Sequence, residues 1–338
     1  MTTTSSTPGT SSLAPPKASG ADRAKEIFAR SPALGPTAAL IIAIIFFSIA
    51  TDTFFNLDNF STIIGQTVVV GTLALGQTLV ILTAGIDLAN GAIMVFATIV
   101  MAKLSMQMAS SAAVLIGILV AGGVAAISGL LVTRLRLPPF IVTLGMLAVV
   151  TAVSALYSGG TTTDVSGDST LTLLGKQISF GSVDISYGMI LAAIMFVVVW
   201  LVLGKTGWGR HVYAVGNDSE AARLCGINVK SILLSVYIVA GLIYGLAAWM
   251  ALGRSPSADP NAFQTGNLDS ITAVVIGGTS LFGGRGGVIG TIIGALIVSV
   301  LRNGLTAMQI DSNYQNLATG VLVILAVAFD QLTRRRSS

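Results

Sequence analysis

The stretch YGMILAAIMFVVVWLVLG, residues 187–204, has no charged side chain. A helix needs about 20 predominantly apolar residues to cross the hydrocarbon core of a bilayer. Apolar runs of comparable length recur from residue 33 to residue 332. Only 9% of the 338 residues are charged, whereas soluble domains average about 25%. The sequence therefore predicts an all-α polytopic membrane protein.

Ten apolar windows predict about ten transmembrane helices. They are residues 33–50, 62–83, 91–109, 112–133, 138–157, 187–204, 231–252, 268–282, 287–303 and 315–332. With the N-terminus in the cytoplasm, these windows place 14 of the 18 Lys and Arg residues inside and 4 outside. Because membrane proteins concentrate Lys and Arg in cytoplasmic loops, we expect both termini to be cytoplasmic.

The ends of the chain differ in composition from the middle. Residues 1–31 are rich in Thr, Ser and Pro and predict a disordered cytoplasmic tail. Residues 32–333 form the transmembrane domain, with a long cytoplasmic loop at 205–230, and residues 334–338 form a basic cytoplasmic tail. The sequence pI near 9.4 reflects this bias of cytoplasmic charge, so it indicates contact with lipid and no nucleic acid partner.

The composition argues against several kinds of site. Cys225 is the only cysteine and His211 the only histidine, which excludes an internal disulfide and a metal cluster built from histidines. Gly204-Lys205-Thr206 resembles the end of a phosphate-binding P-loop, but Val199 stands where that loop requires its first glycine. We therefore expect no ATP site, cofactor or metal in this chain.

The passage VGNDSEAARLCGINVK, residues 215–230, is unusually polar for this chain. Asn217 and Glu220 have the spacing of a capping box, and Gly226 is suited to ending a helix. An apolar stripe is predicted for Ala221, Leu224 and Cys225. The pattern predicts a two-turn helix that either lies on the lipid headgroups or docks into a partner protein.

A second polar passage, VILTAGIDLANGA at residues 80–92, holds Asp87 and Asn90 between two apolar runs. An ionisable residue at membrane depth indicates a functional site. Alternatively, Gly85 and Gly91 break the helix, and Asp87 caps the next one, where its carboxylate meets the positive end of the helix dipole. We favour capping over a proton relay.

Glycines recur every four residues at Gly286, Gly290 and Gly294. This spacing places them on one helix face, where small residues let two backbones approach closely. They are predicted to serve helix packing.

Four segments together resemble the permease subunits of ATP-binding-cassette importers of the ribose, xylose and fructose class. They are TLVILTAGIDLANGAIM (78–94), RLRLPPFIVTLG (134–145), GRHVYAVGNDSEAARLCGINVK (209–230) and AVVIGGTSLFGGRGGVIGTIIGALIVSVLRNGL (273–305). The four motifs occur in order, and the resemblance covers roughly residues 60 to 330. Relatives usually read G-I-D-L-S-V-G where this chain has Ala89 and Asn90 at the fifth and sixth positions.

The resemblance implies a permease in the bacterial plasma (inner) membrane that carries a monosaccharide by alternating access. It implies three protein partners: a second permease copy, an ATPase subunit that binds ATP and Mg at the cytoplasmic face, and an extracytoplasmic sugar-binding protein. The chain itself would then be a transport subunit and not an enzyme.

The resemblance also implies roles for individual residues. The family's coupling motif, E-A-A followed by glycine, matches Glu220, Ala221, Ala222 and Gly226, which favours docking of this helix on the ATPase. Polar groups that could line the translocation path or a helix break are Gln77, Thr83, Asp87 and Asn90.

Two other classes of membrane protein stay open on the residues alone. In an ion-coupled secondary transporter, Asp87 would carry the coupling ion. A channel or structural subunit would have little use for the helical connection at 205–230.

Overall fold

The computed structural model describes residues 34–180 and 183–335, and most of these residues are helical. The helices are α1 (Leu34–Ala50), α2 (Leu57–Leu82), α3 (Asn90–Ser105), α4 (Ser110–Arg134), α5 (Pro139–Ser158), α6 (Tyr187–Lys205), α7 (Gly207–Asn217), α8 (Ser219–Leu224), α9 (Val229–Arg254), α10 (Gly266–Ile276), α11 (Val288–Ala307) and α12 (Ser312–Arg335). Each of the ten predicted windows overlaps one of these helices. The predicted tail at 1–31 lies outside the described residues, as do residues 336–338.

Six described helices, α2, α4, α5, α6, α9 and α11, are long and apolar enough to cross a membrane. Three apolar helices, α1, α3 and α10, are shorter. The prediction of a helix over 268–282 was too long, because α10 ends at Ile276 and Gly278 adopts a left-handed φ of 86°. At about 1.5 Å per residue, its 11 residues extend about 16 Å, roughly half of a 30 Å hydrocarbon core.

Short strands, which the all-α prediction did not include, occur between the helices. Strand β1 (Thr163–Asp164) pairs antiparallel with β4 (Ser257–Ala258), and β2 (Gln177–Phe180) pairs with β3 (Val183–Ser186) in a hairpin. The β1–β4 pairing joins the connection after α5 to the connection after α9. These strands are too short to be predicted from an apolar pattern.

Helix α2 forms the centre of the molecule. In its most apolar window 72% of the residues are buried, against 22% in α6. Helices α9, α10 and α11 pack around α2, whereas Ile194, Val197 and Val198 of α6 are exposed apolar residues that suit a lipid surface.

Helix α2 also contacts both ends of the molecule. Near its start, the Ser61 hydroxyl donates to the carbonyl of Asp184 in the β2–β3 hairpin, at 3.0 Å. At its end, the carbonyl of Leu82 accepts from the amide of Gly284, also at 3.0 Å. One unbroken helix of 26 residues therefore connects two distant surfaces.

Candidate functional site

The chain breaks from helical structure directly after α2. Thr83 ends the helix, and its hydroxyl donates to the carbonyl of Val80 at 2.8 Å. Ala84 adopts a left-handed φ of 60°, and helical structure resumes only at Asn90. Thr83 therefore serves the end of α2.

Asp87 lies inside this break and is fully buried. Its Oδ1 accepts from the amide of Ala89 at 2.9 Å. The prediction that Asp87 caps the next helix was therefore wrong in position, because Ala89 is the residue that precedes α3 and it has no capping side chain. Neither ion pair found among the described residues includes Asp87. Asp87 therefore supports the turn through its hydrogen bond with the backbone.

Gln77, also fully buried, supports the same turn from α2. In the orientation of its amide that satisfies both atoms, the nitrogen donates to the carbonyl of Asp87 at 3.1 Å, and the oxygen accepts from the amide of Asp87 at 3.2 Å. Buried backbone groups need such partners. Gln77 therefore supplies hydrogen bonds that a continuous helix would otherwise provide.

Asn90 joins the start of α3 to the start of α10. Its Nδ2 donates to the hydroxyl of Ser270 at 2.7 Å, and the Nδ2 of Asn267 donates to the carbonyl of Leu88 at 3.2 Å. Gly91 permits this approach, because a Cβ there would lie 3.1 Å from the amide nitrogen of Asn267. The first turns of α3 and α10 are thus in direct contact.

From this contact the two helices lead to opposite sides of the molecule. Helix α3 reaches β1 and β4, whereas α10 leads to the turn at 277–287, beside the end of α2. We call the contact the polar junction; it consists of Gln77, Asp87, Asn90, Asn267 and Ser270.

The structure thus brings together three of the four residues predicted for the path or a helix break. Gln77, Asp87 and Asn90 meet in the polar junction, at a real break, whereas Thr83 ends α2. All three are fully buried, so their side chains hold the break together, and a role in the path stays a prediction. Asn267 and Ser270 were missed because no local pattern indicates that α10 begins beside α3.

An ion pair that the sequence analysis also missed links α10 to α11. Asp269 is 3% exposed, and its Oδ1 lies 2.8 Å from the Nη2 of Arg302. The same Nη2 donates to the hydroxyl of Thr265 at 2.8 Å. Asp269 lies within the predicted window 268–282, so a carboxylate at membrane depth was the available signal.

The cytoplasmic loop predicted at 205–230 contains two helices, of which α7 was not predicted. Thr206 begins α7 by accepting from the amide of Gly209 at 3.1 Å. Val212 and Val215 are buried, and Gly216 lies against the carbonyl of Leu82, where a Cβ would collide. Helix α7 therefore contacts the end of α2.

Helix α8 begins one residue later than predicted. Asp218, and not Asn217, is the N-cap, because its Oδ1 accepts from the amides of Glu220 and Ala221, each at 2.9 Å. Asn217 is the last residue of α7. Asp218 therefore ends one helix and starts the next, which a capping-box pattern does not reveal.

The end of α8 agrees with the prediction. Gly226 adopts a left-handed φ of 85°, and its amide donates to the carbonyl of Arg223 at 3.0 Å. The amide of Ile227 donates to the carbonyl of Ala222 at 3.1 Å, completing a Schellman motif. Helix α8 thus has a defined length of six residues.

The exposed surface of α8 combines apolar side chains with a pair of charged ones. Ala222 is buried, whereas Ala221, Leu224 and Cys225 are exposed, Leu224 by 75%. Glu220 forms an exposed ion pair with Arg223. Hydrogen bonds and charge from Arg223 lower the pKa of the Glu220 carboxyl below its ordinary value, so Glu220 is negatively charged at neutral pH.

The predicted glycine face is only partly helical. Gly290 and Gly294 lie on α11, where a Cβ would collide with the carbonyls of Gly277 and Ala273 respectively. Gly286 was wrongly placed on this face: it precedes α11, has a φ of 119°, and packs against Thr279. Its role is therefore in the turn at 277–287.

Comparison with known proteins identifies the family. A family model described as "Branched-chain amino acid transport system / permease component" matches residues 59–327. The chain is 44% identical to the fructose import permease protein of Rhizobium meliloti over 312 residues, which cover 90% of this chain and 87% of that protein.

Two further relatives carry the names of other sugars. The ribose import permease protein of Bacillus subtilis (strain 168) is 36% identical over 88% of this chain and 92% of its own length. The galactose/methyl galactoside import permease protein of Haemophilus influenzae is 33% identical over 83% of this chain and 88% of its own length. No solved structure matches the chain. The chain therefore belongs to the family of transport-system permease components that this model describes.

Proposed function

We propose that this protein is the transmembrane permease subunit of an ATP-binding-cassette importer that moves a monosaccharide across the bacterial inner membrane. The observation that carries the proposal is the match, over 83–90% of the chain, to permeases named for fructose, ribose and galactose import. Fructose, ribose or a related neutral sugar is the proposed cargo. The ion-coupled alternative has no support from these relatives.

The proposed topology has about ten membrane crossings and both termini in the cytoplasm. The bias of Lys and Arg toward one side supports it. The permease domain is residues 32–333, between the cytoplasmic tails at 1–31 and 334–338. Helices α3 and α10 are short, and their first turns meet. We propose that each makes its crossing together with the non-helical segment that precedes it.

In the proposed complex this chain pairs with a second permease copy, an ATPase subunit and an extracytoplasmic sugar-binding protein. ATP and Mg belong to the ATPase, because Val199 occupies the position of the first P-loop glycine in this chain. We propose no cofactor and no metal for the permease itself.

Helix α8 is the proposed contact with the ATPase. Its exposed face combines Leu224, 75% exposed, with the charges of Glu220 and Arg223, and such a face suits a groove in a partner protein. Helix α7 continues from α8 to the end of α2. A movement of the ATPase could therefore reach the central helix through two short helices.

The proposed transport cycle is alternating access. ATP shifts the balance between inward-open and outward-open states only by its different affinity for the two states of the complex. The break at residues 83–89 and the turn at 277–287 are the proposed points of bending, because each follows a helix that ends inside the protein.

The experiment is uptake into proteoliposomes that contain this permease, its ATPase and its binding protein. We expect uptake of radiolabelled D-fructose or D-ribose that requires ATP and the loaded binding protein, and that persists when proton and sodium gradients are dissipated. Uptake by the permease alone on an ion gradient would contradict the proposal.

A further inference from the structure

A cavity of about 290 Å³ lies between α3, α5 and the connection that leads into α10. The first turns of α3 contribute Gly91 and Val95, α5 contributes Thr151 and Ser154, the connection contributes residues 260–264, and α10 contributes Asn267. Ligand pockets commonly have volumes of about 300–1,000 Å³. The cavity is therefore of a size for one small molecule.

The described residues that line this cavity include amides and hydroxyls but no charged side chain. The polar groups are those of Thr151, Ser154, Asn261, Gln264 and Asn267. Each of these groups can donate or accept a hydrogen bond, and Phe263 adds an apolar ring. An ion entering here would lose its hydration without meeting an opposite charge, so the lining favours an uncharged solute rich in hydroxyl groups.

Ser154, which lines the cavity, carries a buried hydroxyl that the described residues leave unpartnered. Its side chain is 1% exposed, and its hydroxyl has no hydrogen-bond partner in the described part of the chain. Hydroxyls on a helix commonly donate to a carbonyl one turn earlier, as Thr143 does on the same helix. A buried hydroxyl that lacks a partner costs free energy, and a bound hydroxyl group would remove that cost.

The position of the cavity adds to this indication. It adjoins the contact between Gly91 and Asn267, where the first turns of α3 and α10 meet. A second cavity, of about 320 Å³, lies at the ends of α6 and α10, but its lining is largely glycine and apolar, with Tyr213 as its main polar side chain. Only the first of these two combines several amides with an unsatisfied hydroxyl.

We propose that the cavity between α3, α5 and the α10 connection is a transit subsite that binds the hydroxyl groups of a neutral monosaccharide. The inference rests on the proposed function and adds the residues that touch the cargo: Thr151 and Ser154 on one wall, and Asn261 and Gln264 on the other. Asn267 belongs both to the cavity lining and to the polar junction, so the junction adjoins the proposed subsite.

The test removes hydroxyls and an amide from the two walls without adding bulk. The double variant Thr151→Val/Ser154→Ala and the single variant Gln264→Leu are reconstituted with the ATPase and the binding protein, and uptake of D-fructose and D-ribose is measured. The control is Ser128→Ala, because Ser128 on α4 is also fully buried with an unpartnered hydroxyl but does not line the cavity. Yield and thermal stability of each purified complex report on folding.

We expect Gln264→Leu to lower the maximal uptake rate about fivefold, since one hydrogen bond contributes about 1 kcal/mol. The double variant, which removes two hydroxyls, should lower it by up to about thirtyfold. The control variant should transport like the wild type. Wild-type rates in both wall variants, in complexes of normal yield, would overturn the subsite while leaving the proposed function intact. Failure of the wild-type complex to take up, with ATP, any neutral monosaccharide that its binding protein carries would overturn the proposed function and this inference together.

Discussion

Asp87 is held by backbone groups and not by a basic side chain. Its Oδ1 accepts from the amide of Ala89, while Gln77 bonds the backbone of Asp87 itself. An asparagine retains a side-chain oxygen that can accept the same hydrogen bond. The role of Asp87 in the turn therefore depends on the shape of the side chain more than on its charge.

We predict that Asp87→Asn keeps ATP-driven uptake within about twofold of the wild type, a difference of about 0.4 kcal/mol. Thermal stability should be unchanged or higher, because a buried amide is easier to desolvate than a carboxylate. Asp87→Leu, which leaves the amide of Ala89 without its partner, should be less stable by about 1–3 kcal/mol. Loss of uptake in Asp87→Asn alone would instead favour an ion-coupled carrier.

The polar residues show where sequence reasoning succeeded at this scale. Asp87 and Asn90 were identified because polar groups between apolar runs are conspicuous. Their partners Gln77 and Ser270 lie 10 residues before and 180 residues after them respectively, and only the packing of α2 and α10 brings them together. Asp218 was missed as a cap because Asn217, beside it, has similar capping chemistry.

At the scale of the element, α10 and α11 pack through glycines that leave no room for a side chain. We predict that Gly294→Ala destabilises the purified protein by about 1–3 kcal/mol, because the new Cβ would collide with the carbonyl of Ala273. Thermal unfolding in detergent measures the change.

The matched control for this substitution is Gly123→Ala on α4, where a Cβ would meet no atom within 4 Å. Alanine favours a helix over glycine by up to about 1 kcal/mol, so this variant should be at least as stable as the wild type. Equal stability of the two variants would show that α10 and α11 can move apart enough to accept the added methyl group at little cost in free energy.

Helix α8 provides the next prediction. Gly226→Pro fixes φ near −65° where the structure has 85°, and Glu220→Lys replaces the ion pair with Arg223 by repulsion. We expect both variants to lower uptake per ATP hydrolysed by tenfold or more, equivalent to ~1.4 kcal/mol of coupling. Uptake and phosphate release from the same proteoliposomes measure the ratio.

Gly226→Asn is the control for the coupling experiment, because asparagine tolerates a left-handed backbone. It should retain most of the uptake per ATP hydrolysed. Normal coupling in the proline and lysine variants would exclude α8 as the ATPase contact.

The helices themselves were largely predictable, since apolar length is a strong local signal. Two errors have physical causes. Residues 277–282 carry no charge, but they include glycines that turn the chain, so the apolar window extended α10 too far. Helix α7 carries exposed Arg210 and His211 beside buried Val212 and Val215, so a search for continuous apolar runs classed it as a loop.

At the scale of the whole molecule, the charge bias makes a prediction about orientation. Cys225 is the only cysteine and is exposed, so a membrane-impermeant thiol reagent reports its side of the membrane. We expect labelling in inside-out vesicles and none in intact spheroplasts. In a Cys225→Ser background, Ser166→Cys in the exposed connection after β1 should label from the opposite side. The reverse pattern would place both termini outside.

Helix α2 has a consequence for the energetics of the whole complex. Its 26 residues extend about 39 Å; the hydrogen bond with the β2–β3 hairpin lies near its start, and α7 packs against its end. A displacement at either end of α2 is therefore transmitted along one continuous helix. Coupling free energy between two binding sites is reciprocal. If nucleotide on the ATPase changes the affinity of the permease for its loaded binding protein by some factor, the docked binding protein must change the affinity for nucleotide by that same factor.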